Sequence, residues 1–168
     1  MKPCPRCDRE LHPQMFGEIA VQACGGCEGL FLEQGVIQQV IADHVLAEPL
    51  LATLPRREIR VIPRPGEKMY LKCPECRTVM NRRQFATGAG IVIDVCKPHG
   101  TFFDAGELPA IIEYVRKGGL DRSAKKDRED ARQRARIAAI SIEPGPRYEP
   151  DGLDAGIAFA DLLISLFG

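Results

Sequence analysis

Eight side chains in this sequence have the types and spacing to hold metal ions. Cys4 and Cys7 form one Cys-x-x-Cys pair, and Cys24 and Cys27 form a second. Further along, Cys73 and Cys76 repeat the pair, and Cys96 and His99 close the series with a histidine in the last place. A pair of donors three apart on a tight turn points both at one ion, so the eight divide into a Cys4 set and a Cys3His set, both suited to tetrahedral structural zinc. Two zinc ions per chain are expected. Four protein donors leave no position for water or substrate, which argues against metal-activated chemistry. Iron is the alternative for the Cys4 set, since soft thiolates accept it, and a redox pair is the alternative for any single Cys-x-x-Cys. His12 and His44 fall outside this register and are expected to be surface or locally bonded residues.

Each set needs elements that deliver its donors. "CPRC" at Cys4 matches "CPEC" at Cys73, and "IAVQACGGCEGLFLEQGVI" from Ile19 matches "IVIDVCKPHGTFFDAGEL" from Ile91. Gly29, Phe31, Glu33 and Gly35 align with Gly100, Phe102, Asp104 and Gly106 once one residue is dropped, which predicts an internal repeat. In each copy two strand-like runs flank a turn, at Gly17 and at "TGAG", and the second strand carries the third ligand, Cys24 or Cys96. A lone hairpin is marginal in water, so the ion would stand in for a core. Helices are predicted next. Asp104 and Glu107 have the spacing of an N-cap and its capping box, ahead of Leu108, Ile111, Ile112 and Val115 on one face, with Gly118 and Gly119 as the stop. In the first copy Ile37, Val40, Ile41 and Val45 share a face that should end before Pro49. Phe31, Phe102 and Phe103 are expected to seal the apolar side of the metal sites. Asp94 alternates with Ile93 and Val95 and is expected to face solvent.

These elements describe a small α+β protein of two zinc-ribbon-like modules, each a knuckle, a hairpin and a following helix, with a C-terminal helical extension. The expected division is 1–50 for the first module, 51–118 for the second with an extended segment before it, 119–140 for a charged helix or linker, and 141–168 for a Pro/Gly break and an apolar helix. "ATLP" is the expected boundary, and "EIRVIP" and "KMYLK" after it are candidates for an added hairpin.

The sequence resembles the small bacterial zinc-finger domains named for their likeness to the zinc ribbon of transcription factor IIB. The second copy follows that pattern better, through Cys73, Cys76, Cys96, His99, Gly100, Phe102, Asp104, Gly106, Glu107 and Leu108, with His99 where cysteine is commoner and Phe102 where tryptophan is usual. The first copy matches at its four cysteines and at Gly29, Phe31, Glu33 and Gly35, with Val36 and Ile37 replacing the Glu-Leu of the helix start. The resemblance implies zinc binding and a ribbon fold, and leaves function open, because such ribbons contact nucleic acid, contact protein or act as scaffolds.

Composition narrows the function classes. The chain has 168 residues, no tryptophan and a formal net charge of zero, with 23 basic and 23 acidic side chains, which lowers the expectation of tight nucleic-acid binding. No run is long and apolar enough for a membrane span, and six of seven cysteines sit in Cys-x-x-Cys pairs, so a cytoplasmic protein with reduced thiolates is expected. Three functions remain. The preferred one is a non-enzymatic protein-interaction or regulatory adaptor, its partner contact or homo-oligomer formed through Ile157, Leu162, Leu163, Leu166 and Phe167. The second is nucleic-acid binding, with polyanion contact through Lys68, Lys72, Arg77, Arg82 and Arg83 and through Arg128, Arg132, Arg134 and Arg136. The third, thiol chemistry at the Cys-x-x-Cys pairs, would need a site without metal. No nucleophile elbow, phosphate-binding glycine loop or open metal triad is present in the sequence.

Overall fold

The two candidate hairpins join through the strand that follows each of them. A computed structural model describes residues 2–59, 62 and 65–140. The first part gives β1 (Lys2–Pro3), β2 (Glu10–Phe16), β3 (Ile19–Cys24), β4 (Leu30–Glu33), α1 (Val36–Ala42) and α2 (His44–Thr53). The second gives β5 (Asn81–Gln84), β6 (Val92–Cys96), β7 (Gly100–Phe103), α3 (Glu107–Arg116) and α4 (Gly119–Ile140). All seven strands form one antiparallel sheet in the order β1-β2-β3-β4-β7-β6-β5. The chain divides into two units at 130/131, and the described part of the second, residues 131–140, is helical and exposed.

The register at the centre of the sheet is self-complementary. Across β4 and β7, Leu30 faces Phe103, Phe31 faces Phe102, Leu32 faces Thr101 and Glu33 faces Gly100. Under the sequence alignment Phe31 and Phe102 occupy the same slot, and each flanking pair is the mirror of the other, as across an isologous two-fold interface. The outer pairings agree: Gln22 faces Phe31 as Asp94 faces Phe102, and Ala23 faces Leu30 as Val95 faces Thr101.

Alternation along these strands makes two apolar layers. Leu30, Leu32, Ile91, Ile93 and Phe103 point to one face and pack with Val40, Ala47 and Leu50 of α1 and α2 and Leu108, Ile111 and Ile112 of α3. Phe31 and Phe102 point to the other, among Leu11, Leu71, Met80 and four buried cysteines. Phe103 therefore belongs under the helices rather than beside the metal-binding side, because it is one residue out of phase with Phe102.

The same geometry corrects Asp94. Alternation does set it opposite Ile93 and Val95, but that opposite face is covered, and Asp94 is only 2% exposed. At β6 the sheet is covered on both sides, so a period-two pattern there indicates no solvent face.

Three further expectations change. Asp104 is not the N-cap of α3: that position is Gly106, at φ 87°, as Gly35 is for α1. One half of the capping box survives, since Glu107 Oε2 accepts from the Asp104 amide at 2.8 Å, while the Asp104 carboxylate is occupied by Arg6. Pro49 lies inside α2 rather than after it, because α1 breaks at Asp43, whose side chain accepts from the Val45 amide at 2.7 Å and starts a new helix. The break throws Val45 out of phase, and it is 77% exposed. Gly118 ends α3, but Gly119 opens α4, where the buried Ser123 hydroxyl donates to Thr87 and Gly119 carbonyls. The KMYLK segment forms no strand, only the Lys72 bridge to Val79, and three of the six residues of EIRVIP lie outside the described residues.

Gly100 shows how closely the halves approach. Its φ is 149°, and a Cβ there would run into the Leu32 carbonyl and Glu33 of the neighbouring strand. Gly100→Ala is expected to destabilise the protein by more than about 2 kcal/mol, combining backbone strain with a forced separation of β4 and β7. Gly88→Ala, at φ 81° in open space, should cost only about 1 kcal/mol. Chemical denaturation of the two variants measures the difference.

Candidate metal centres

Three of the four donor turns close in the same way. The Asp8 amide donates to the Cys4 carbonyl at 3.0 Å, the Glu28 amide to Cys24 at 2.9 Å, and the Arg77 amide to Cys73 at 2.9 Å. In return the Cys4, Cys24 and Cys73 amides bond to Arg9, Gly29 and Thr78 carbonyls. The tight loop forces Asp8, Glu28 and Arg77 to φ values near 60°. The fourth turn is one residue shorter, with the His99 amide donating to the Cys96 carbonyl at 3.1 Å, and its histidine replaces the missing reach of a cysteine.

These turns gather the donors. In each set all four donor atoms lie within 4.8 Å of one another. Cys4 and Cys27 sulfurs are 3.5 Å apart, and Cys7 and Cys24 sulfurs 3.4 Å. In the second set Cys76 and Cys96 sulfurs are 3.7 Å apart, and His99 Nδ1 is 3.4 Å from Cys96 Sγ and 3.8 Å from Cys73 Sγ. A tetrahedron of zinc–sulfur bonds of about 2.3 Å has edges of roughly 3.8 Å, so the sets fit a zinc ion with little adjustment. Backbone amides of Gly26 and Glu75 point at Cys24 and Cys73 sulfurs at 3.4 Å and favour thiolate there.

The electrostatics of the sulfurs are those of groups competing for protons. The Cys27 thiol, donating to Cys4, pulls the Cys4 pKa down to about 5 against its burial, helped by Cys7 and Arg6 amides. Cys27 is pushed up by the same contact and by burial. In the second set Cys76 falls to about 6 through the Thr78 hydroxyl and amide, and burial raises Cys96 to about 12. A divalent cation would replace the shared protons and let all the sulfurs ionise together.

A network of charge lies beside the first set and was missed in the sequence. Arg6, inside the Cys4–Cys7 turn, forms a two-pronged ion pair with Asp104, Nε to Oδ1 at 2.8 Å and Nη2 to Oδ2 at 2.5 Å, and its Nη1 donates to the Lys68 carbonyl. Arg82 meets Asp94 at 3.4 Å, leaving Asp94 Oδ1 buried without a hydrogen-bond partner. Burial raises Asp94 to about 6 and Glu107 to about 8, the latter also through the Asp104 charge. A cavity of about 610 Å³ next to Cys27 is lined by Arg6, Arg57, Arg82, Glu28, Asp104 and Glu107 among others, with Arg6 paired to Asp104 and Arg57 to Glu28 at 2.6 Å. The signal for this network was the charged residue enclosed by each Cys-Pro-x-Cys turn.

The nine candidate polyanion contacts separate. Lys68, Lys72 and Arg77 share a groove of about 210 Å³ with Pro5, Asp8 and Tyr70, a residue the sequence reading passed over. Arg82 is largely buried at its ion pair, Arg83 is exposed on β5, and Arg128 is exposed on α4. Arg132, Arg134 and Arg136 are exposed in the second unit. Ile157, Leu162, Leu163, Leu166 and Phe167 lie outside the described residues.

Residues 3–43 match the family model described as transcription factor zinc-finger, a ribbon of the TFIIB kind. The N-terminal region resembles a TFIIB-type zinc ribbon. The match takes in the Cys4 set and stops at Asp43, so the Cys3His set, with its histidine and shortened last turn, lies beyond the ribbon that is matched. No curated protein and no solved structure matches the chain.

Glu107 yields a prediction with a defined sign. Its carboxyl stands at about 8 when folded against an ordinary 4.5, so the folded protein binds the extra proton between those values. Its contribution is fully present below pH 4.5 and is lost as pH rises toward 8, at up to about 1.4 kcal/mol per pH unit. Glu107→Gln keeps an acceptor for the Asp104 amide and removes the titration. Relative to the parent, the variant should gain stability steadily from pH 6 to pH 8 in urea denaturation of the zinc-loaded protein; parallel curves would contradict the assignment.

Proposed function

We propose that the protein is a non-enzymatic, structural-zinc adaptor built from two copies of a zinc-ribbon-like module, at 1–50 and 51–118, which presents binding surfaces to a protein partner or to a second copy of itself. The observation that carries this reading is the pair of complete four-donor sets: Cys4, Cys7, Cys24 and Cys27, and Cys73, Cys76, Cys96 and His99. Each surrounds its position with donors of the kind and spacing structural zinc takes, and leaves no place at the ion for a reactant. The zinc would supply folding energy rather than chemistry. The apolar residues from Ile157 to Phe167 are assigned the partner contact on the strength of their sequence. Among the described residues no helix is long and apolar enough to cross a membrane.

Metal analysis of purified protein is expected to give two zinc ions per chain, and strong chelation should abolish the folded circular-dichroism spectrum. Metal-free protein that keeps its fold would end the proposal. Light scattering of the full chain and of a chain lacking residues 153–168 tests the contact surface: the shorter chain should lose self-association or its captured partner.

A second reading, single-stranded nucleic acid, is favoured by one groove. Lys68, Lys72 and Arg77 surround Tyr70, which is 68% exposed, the combination of phosphate neutralisation and base stacking that such strands use. Asp8 opposes it, since it holds Lys68 at 2.6 Å. Three phosphate contacts predict a slope of about −2 in log affinity against log salt for a labelled oligonucleotide. Lys72→Ala with Arg77→Ala should flatten that slope; binding that ignores both salt and the substitutions would exclude this groove.

A further inference from the structure

We propose that the two donor sets are coupled, so that filling one with zinc raises the affinity of the other; this rests on the zinc reading above. The carrier is the β4–β7 pair. β4 begins three residues after Cys27, and β7 begins directly after His99, so each strand of the central pair is launched from a ligand turn. An empty turn leaves its strand without a fixed starting point. The opposite half then loses its neighbour in the sheet.

Direct contacts cross between the halves at the ligands themselves. The His99 carbonyl accepts from the Gln34 amide at 3.0 Å, so a ligand of the second set is bonded to the residue that follows β4. The ring of Phe102 occupies the space toward which a Cβ on Gly29 would point, two residues from Cys27. Cys4 and Cys24 of the first set and Cys73 and Cys96 of the second belong to a single apolar cluster with Phe31 and Phe102 between them.

The third residue of each Cys-Pro-x-Cys turn adds a reciprocal link. Arg6, in the first turn, grips Asp104 at the end of β7. Glu75, in the matching place of the second turn, pairs with Lys2 of β1. Each ligand turn thus holds the other half by a charged side chain that the metal orients. The Arg6 pair has its guanidinium only 10% exposed, so solvent weakens it less than an open surface pair.

Native mass spectrometry of full-length protein, equilibrated with enough zinc to fill half the sites, reads the coupling. Two independent sites, equal or unequal, leave at least half of the molecules with one ion. For sites of equal intrinsic affinity, coupling of 5- to 150-fold, the usual range for linked sites, would lower that fraction to between about a third and about a thirteenth. Arg6→Ala with Asp104→Ala should still bind two ions in excess zinc and should raise the one-ion fraction above that of the parent. Arg57→Ala, which removes the bidentate pair to Glu28 beside Cys27 but no link to β7, should leave it unchanged. A one-ion fraction no lower in the parent protein than in the Arg6→Ala, Asp104→Ala variant overturns the coupling. Fewer than two ions bound in excess zinc would instead overturn the zinc reading.

Discussion

The fold depends on a pair of four-residue strands, β4 and β7, meeting in antiparallel register at Phe31 and Phe102. Neither hairpin has a core of its own. Each has one face to bury under helices and the other to close around sulfur, and both tasks are completed only when the second half lies alongside. The helix-side layer takes side chains from both halves, and so does the layer among the cysteines. The central pair joins the two halves into one seven-stranded sheet with a common interior.

That arrangement explains what the sequence revealed. The donor pairs were legible because a pair of donors for one ion needs a short, fixed spacing that distant packing does not alter. The hairpins at Gly17 and at "TGAG" were legible because β-patterned runs flanked glycine-containing turns. Leu108, Ile111 and Ile112 were legible because α3 buries one face at helical period. Each of these features is local.

The misread features depend on partners distant in sequence. Asp94 reads as solvent-facing until Arg82 and Phe102 cover it, and Asp104 reads as a cap until Arg6, 98 residues away, takes its carboxylate. Val45 and Pro49 were misplaced for a different reason. Asp43 interrupts the helix with a side-chain bond to Val45, and a residue that both breaks and restarts a helix looks from the sequence like one more polar position on a continuous one. The residues around the 610 Å³ cavity come from at least four separated segments, and only those in the donor turns, such as Arg6, were marked by a motif.

The opposite charges of Arg6 and Glu75 bear on misassembly. In the register of the central pair, two second halves from different chains would bring Glu75 of one toward Asp104 of the other, a contact between carboxylates where the native chain sets Arg6 against Asp104. Like charges in such a place repel, and the half that carries the Cys3His set is a poor partner for its own duplicate. The charge pairing thus favours joining a first half to a second half over joining two second halves.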